Sequence, residues 1–404
     1  MSLKNLLRTS LLALTLGLGL AGCQADGPQV SQKPSLPTPN RPNETGLNIN
    51  NWDGVLVLSE GNMSDGEGVL AFIDKASGAI TSDVVRQVNG KSLGNVAQDL
   101  CISKDKLYIV CQNGDKRGDL KHISIFDKSF KLLDTFTPDV IAANSKVSPT
   151  HLTVAHDLLY FVTNDGKLYS LPLNATGADR ERATLITQVA KPLYARLFTV
   201  HEQGVEVVYV AGAQALYRIG KGGQVASLAY PEGYTSLGIA PCYDVANKSQ
   251  AIWMIQAESK NKKTRLVKVQ NLEEKGSYDL GEQLGLKGVW AGSCTLAAAP
   301  TTEGAMIFLR TGSAIYSFSE QSKELKNIYS TTEILYGYIG ASARSKVIYL
   351  SQLPAYNRYK EAKVMEMAWD GTAQKSYPIK SEGQPDGLYT PFCALIYPIS
   401  SSLY

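Results

Sequence analysis

"KLYIVCQNG", residues 106–114, is a short apolar run with a tyrosine at its third position, ended by an amide-rich turn. Alone it does not decide the fold. The recurrences of the pattern decide. It returns as "GVLVLSEGN" (54–62), "LLYFVTNDG" (158–166), "VVYVAGAQA" (207–215), "AIWMIQAES" (251–259), "MIFLRTGSA" (306–314) and "VIYLSQLPA" (347–355). Tyr108, Tyr160, Tyr209, Trp253, Phe308 and Tyr349 occupy equivalent places, with Leu56 in the first copy. Successive copies lie 41 to 55 residues apart, close to the period of a propeller blade.

Each copy is followed by a second strand-like run: "VLAFID", "ISIFD", "KLYSLPL", "ALYRIG", "RLVKVQ", "AIYSFS" and "KVMEMAW". A polar turn and a weaker third strand, such as "ATLITQVA", come next. Six copies are also preceded by a strand: "DLCIS", "HLTVA", "RLFTV", "IAPCYDV", "SCTLAAA" and "YIGASA". Only the first lacks one, and the chain ends with a spare, "LYTPFCALIYPI" (388–399). β-Branched and aromatic residues with regular turn clusters specify an all-β chain. The expectation is a seven-bladed β-propeller closed by the C-terminal strand, which would leave no open sheet edge at the ring's seam. In that frame "SEGNMSDGEG" (59–68) is the loop between the second and third strands of the first blade. It lacks the alternating oxygen donors and closing glutamate of an EF-hand, and reads as a turn.

The N-terminus reads differently. Lys4 and Arg8 precede "LLALTLGLGL", too short to span a bilayer, and Leu20-Ala21-Gly22-Cys23 has the form of a bacterial lipobox. The expected layout is a signal peptide over 1–22, then a lipid anchor and Pro-rich spacer over 23–50, then the propeller over 51–404. Cys23 is the expected lipidation site, tying the protein to a membrane through acyl chains. Removing Lys4 and Arg8 from 40 basic residues against 37 acidic ones leaves a nearly neutral chain, so no nucleic-acid partner is expected. Cys101, Cys111, Cys242, Cys294 and Cys393 remain after Cys23. They read as small buried hydrophobes, with a disulfide between Cys101 and Cys111 left open.

The segment from "LSEGN" through "GVLAFIDKASGAITSDVVRQVNGKSLGNVAQDLCISKDKLYIVCQNG" resembles the opening of the YncE-like propeller lipoproteins of Bacteroidetes. The resemblance rests on Glu60-Gly61-Asn62, Asn89-Gly90, Leu93-Gly94 and Val96-Ala97-Gln98. It implies a seven-bladed propeller on an outer-membrane lipid anchor, exposed at the cell surface. Some members of that group capture cobalamin and pass it to a TonB-dependent transporter. "CQADGPQ" departs from the acidic cluster that such surface lipoproteins often carry after the lipid cysteine, since it offers only Asp26.

Enzyme signatures are missing from the sequence. There is no S-x-D-x-G-x-x-W box, no HExxH, no C-x-x-C-H and no phosphate loop. His122, His151, His156 and His201 read as solvated or satisfied histidines. The expectation is a binding protein without catalytic residues, metal or cofactor. Its ligand face is read from aromatics that precede the innermost strands or sit in second-to-third-strand loops. These are Tyr194, Tyr234, Trp290, Tyr336, Tyr338, Tyr356, Tyr359 and Tyr389, with Arg196 and Gln98 among the polar residues between them. Such a mouth suits a flat ligand that buries its faces and hydrogen-bonds its edges. The competing reading packs the same rings between blades. Cobalamin is the leading candidate ligand, followed by haem or a glycan, and a docking scaffold is the alternative.

Overall fold

The computed structural model describes residues 54–399 except 65, 76, 190–195, 246–247, 259–262, 283, 285–294, 373 and 378–391. Among these residues the protein is all-β, with strands grouped by four. Five groups are separate four-stranded meanders, and an eight-stranded sheet joins two more through one parallel bridge, Tyr338 to Leu395. Counted along the chain, they are called modules 1 to 7.

The innermost strands of modules 2 to 7 are Ala97–Ser103, Pro149–Ala155, Leu197–Glu202, Tyr234–Asp244, Thr295–Thr301 and Ile334–Ser342. Module 1 takes its inner strand from the other end of the chain. Cys393–Pro398 pairs antiparallel with Gly54–Ser59, from Val55 opposite Pro398 to Ser59 opposite Cys393. The repeat that opened the sequence analysis is the second strand of each module. Its apolar run is continuous because a neighbouring module covers each face of the sheet.

The core consists of seven apolar clusters among the described residues, each between successive modules. One of them joins Tyr349 and Val364 of module 7 to Val55, Val57, Ala71 and Ile73 of module 1. The repeated aromatics are the wedges of these interfaces: Tyr160, Tyr209, Trp253, Phe308 and Tyr349 are no more than 1% exposed. Burial of one such ring contributes roughly 1.5–3 kcal/mol. Polar contacts reinforce the seam between modules 7 and 1, where Lys75 and Tyr377 both bond the Glu366 carboxylate.

One local feature goes beyond the sequence reading, and one point it left open is decided. The fourth strand of module 1, Ile80–Thr81, is followed by a short helix, α1 (Val84–Asn89), capped by Asp83 and ended by Gly90 in the left-handed conformation. Val84 and Val85 bury into the cluster between modules 1 and 2. The disulfide left open between Cys101 and Cys111 does not form, and both thiols are free. In the observed register Cys101 faces Tyr108 and Cys111 faces Ala97, so the two cysteines lie at different positions along the hairpin. Among the described residues no helix is long and apolar enough to cross a membrane.

Candidate functional site

Antiparallel meanders bring the starts of the inner strands and the second-to-third-strand loops to one face. The loop after Gly54–Ser59 shows how the sequence builds it. Gly61 sits at φ +74, where a Cβ would lie 2.3 Å from the Glu67 carbonyl oxygen, so only glycine fits. The fully buried Asn95 donates to the Asn62 carbonyl at 2.7 Å and to that of Gly66 at 2.5 Å. Asn113 in turn donates to Asn95 Oδ1 at 2.7 Å. The loop is the turn expected, and it also aims one carboxylate inward.

That carboxylate is Glu60. The Tyr336 hydroxyl lies 3.2 Å from both of its oxygens, and Gln98 bonds the same group. Burial pushes the Glu60 carboxyl up to about 8, against the lowering effect of its Tyr336 and Gln98 bonds. Burial likewise raises the Tyr336 phenol, helped by the nearby Glu60 charge. Phe392 packs on the Tyr336 ring with centroids 5.2 Å apart, and Tyr359 stacks on Phe392 at 4.6 Å.

The residue after Gln98 organises a second cluster. Asp99, fully buried, accepts from Arg196 Nε at 3.1 Å, Arg196 Nη2 at 2.9 Å and His151 Nδ1 at 3.1 Å. Burial works to raise its pKa, but the Arg196 charge and the His151 bond outweigh that and hold it below the usual carboxylate range. With Nδ1–H given to Asp99, His151 Nε2 is free to accept from the Tyr338 hydroxyl 3.3 Å away. The Arg196 guanidinium lies over the Tyr338 and Phe198 rings, 5.0 and 4.8 Å from their centroids. Arg310, 2% exposed, donates to the Leu335 carbonyl at 2.7 Å and to Thr295 at 3.2 Å.

Below this layer lies a cavity of about 350 Å³, to which the inner strands of all seven modules contribute. Arg196 marks one end; His201 and Glu206, near the ends of the strands, mark the other. Between them the lining is uncharged, with small residues such as Cys101, Thr153, Ala298 and Gly340 among larger apolar ones such as Leu152 and Ile339.

Of the residues singled out from sequence, Gln98, Arg196, Tyr336 and Tyr338 belong to these clusters. Tyr356 stands beside them with 63% of its surface exposed, near enough for its hydroxyl to act on that of Tyr336. Tyr234 does not join; its ring carries the Arg265 guanidinium at 5.1 Å. Tyr194, Trp290, Tyr389 and Cys23 lie outside the described residues. Sequence reasoning missed Glu60 and Asp99 as site members and left His151 as a generic satisfied histidine. The available signal was a polar pair, Gln98-Asp99, inside a run otherwise destined for burial.

The sequence matches the family described as a domain of unknown function, DUF5074, over residues 53–393. The chain belongs to the DUF5074 family. No curated protein matches the sequence. Among solved structures, this DUF5074 protein is similar to a quinonprotein alcohol dehydrogenase-like protein from Bacteroides thetaiotaomicron. The TM-score is 0.56 at 12% identity, covering 86% of this chain and 78% of that one. It is also similar to a protein from Lactobacillus plantarum, with TM-score 0.50 and 14% identity over 85% of this chain and 98% of that one. Likeness at such identity carries the fold alone, and supports a β-propeller for this DUF5074 chain.

Proposed function

We propose that this protein is a non-enzymatic, lipid-anchored protein of the outer-membrane surface. In this reading it captures a nutrient ligand, cobalamin foremost, for a TonB-dependent transporter. Its body is a seven-bladed propeller of the YncE-like lipoprotein kind, closed by the strand Cys393–Pro398. The pairing of that strand with Gly54–Ser59 and the cluster between modules 7 and 1 support closure. The observation that carries the binding reading is the convergence of Glu60, Gln98 and Tyr336 with Asp99, His151, Arg196 and Tyr338 at one face. These groups come from five modules, and Tyr356 offers an open ring beside them. Such an array can bury a flat ligand and hydrogen-bond its edge. His151, at 1% exposure, serves to orient Arg196 and Tyr338 and does not meet a substrate.

Calorimetric titration of the full chain with cyanocobalamin tests the reading, with haem and host glycans as the other ligands tried. Absence of heat with all three removes capture. A docking scaffold using the same face is the second reading, favoured by Met63 and Tyr356, each 63% exposed on second-to-third-strand loops. The anchor has its own test. Replacing Cys23 by Ser removes the only sulfur at the lipobox, and metabolic labelling with palmitate should then fail. Label retained by that variant overturns the lipoprotein assignment.

A further inference from the structure

We propose that a second cavity, on the face opposite the clusters around Glu60 and Asp99, binds a neutral ligand rich in hydroxyl groups, in chemical terms a sugar unit. The cavity lies where first-to-second-strand and third-to-fourth-strand turns of modules 4, 5 and 6 meet, and measures about 470 Å³. That is within the ~300–1,000 Å³ of small-molecule sites. Gln203 comes from module 4, Asp244, Lys268, Gln270 and Asn271 from module 5, and Glu320 from module 6. No apolar side chain is among its described lining residues. The inference stands apart from the proposed capture of a flat ligand, which uses other residues.

Two atoms carry the argument. Gln270 is 8% exposed, and its Nε2 is buried and donates to no group among the described residues. Glu320 Oε2 is buried as well and accepts from none of them. Gly304 stands beside that oxygen, where a Cβ would come within 2.9 Å, so the glycine keeps it uncrowded. A buried donor or acceptor without a partner destabilises the fold, and a guest in the cavity relieves both. Hydroxyls do so economically, since each accepts through its lone pairs and donates its proton. The charges of the lining are already engaged. Lys268 Nζ lies 2.7 Å from Asp244 Oδ2 and 2.7 Å from Glu320 Oε1, and 5.8 Å from the centroid of the Trp253 ring. This ammonium holds the place that a cation would take, and its two carboxylates repel an anion. Lys275 at the rim is itself paired with Glu273. An amide offers one donor and one acceptor, but the carbon skeleton around it would meet only polar and charged side chains. A sugar carries a hydroxyl on nearly every carbon and suits such a lining.

The test is NMR titration of the full chain with glucose, galactose and mannose, their methyl glycosides, glucuronate, glucosamine and cyclohexanol. At least one neutral sugar should bind with a Kd on the order of 1 mM and shift the side-chain amide signal of Gln270. The charged sugars and cyclohexanol, which has a single hydroxyl, should bind about tenfold more weakly or not at all. A methyl glycoside that binds as its free sugar does marks a chain-linked unit as the ligand, and one that fails marks the free sugar; either upholds the site. Gln270→Met removes the donor at nearly constant volume. It should weaken the sugar about tenfold and leave thermal melting unchanged or raised, because the unpaired amide goes with it. Lower melting with unchanged affinity would make Gln270 a structural residue and overturn the site. If the variant fails to fold, the Gln270 amide signal of the unmodified protein decides. Binding of no neutral sugar, tighter binding of a charged probe, or binding that leaves that signal in place also overturns the proposal. Tyr336→Phe should leave sugar binding intact; a loss there would move the sugar to the opposite face and remove this site.

Discussion

Glu60 holds a proton at a pH where an exposed glutamate has lost it, and this has a measurable cost. Its folded pKa lies near 8, its ordinary value at 4.5. Between the two, the unfolded chain is ionised while the folded one is protonated. Unfolding therefore releases a proton, and stability falls as pH rises through this window, levelling off above it. Glu60→Gln never ionises, so its advantage in unfolding free energy should be small at about pH 5 and grow to a few kcal/mol by about pH 9. A difference independent of pH would mean that the carboxyl is not held neutral. Asp99 has the opposite sign. Its depressed pKa contributes stability above the ordinary carboxylate range that is lost as pH falls through the folded value. Asp99→Asn leaves Arg196 without its counter-ion in a nearly closed site and should cost about 3–5 kcal/mol in urea unfolding at neutral pH. A loss below about 1 kcal/mol would mean that water already screens the pair.

Elements were legible from sequence where burial is two-sided. The aromatic of each repeat marks a second strand because a ring can be enclosed between two sheets, as Trp253 of module 5 is where it packs beside Tyr278 against Phe318 of module 6. The outer strands were weaker signals because solvent covers one side of them. Val225–Ala229 is exposed along most of its length, and Ile80–Thr81 is only two residues long. Helix α1 escaped notice because six residues barely establish a helical period, and its evidence is in the caps Asp83 and Gly90. The site was half legible. Tyr336 and Tyr338 stand out by type, whereas Glu60 looks like any loop carboxylate until Asn95 is seen pinning the turn around it. Asn95→Ala removes both of its bonds to that loop and should destabilise the protein by about 1–3 kcal/mol. It should also speed proteolysis within residues 60–68, read by mass spectrometry of limited digests. Unchanged cleavage there would place the loop's rigidity in its glycines.

At the scale of the whole molecule, the first strand of the repeat pattern is completed by the last described strand, Cys393–Pro398. Deleting residues 393–404 should therefore abolish cooperative unfolding, because module 1 loses its inner strand and the clusters on both sides lose Leu395, Ile396 and Cys393. A truncated protein that melts as the full chain does would show that the seam is dispensable. The same pairing sets an order in time. A ribosome makes Gly54–Ser59 long before Cys393–Pro398, so through that interval the early strand has an unclaimed edge. Loop closure over such a separation is slow, and an open edge is adhesive while it waits. Module 1 thus stays incomplete until Cys393–Pro398 has been made. For a polypeptide that had to be threaded through a narrow pore before folding, that delay would be an asset.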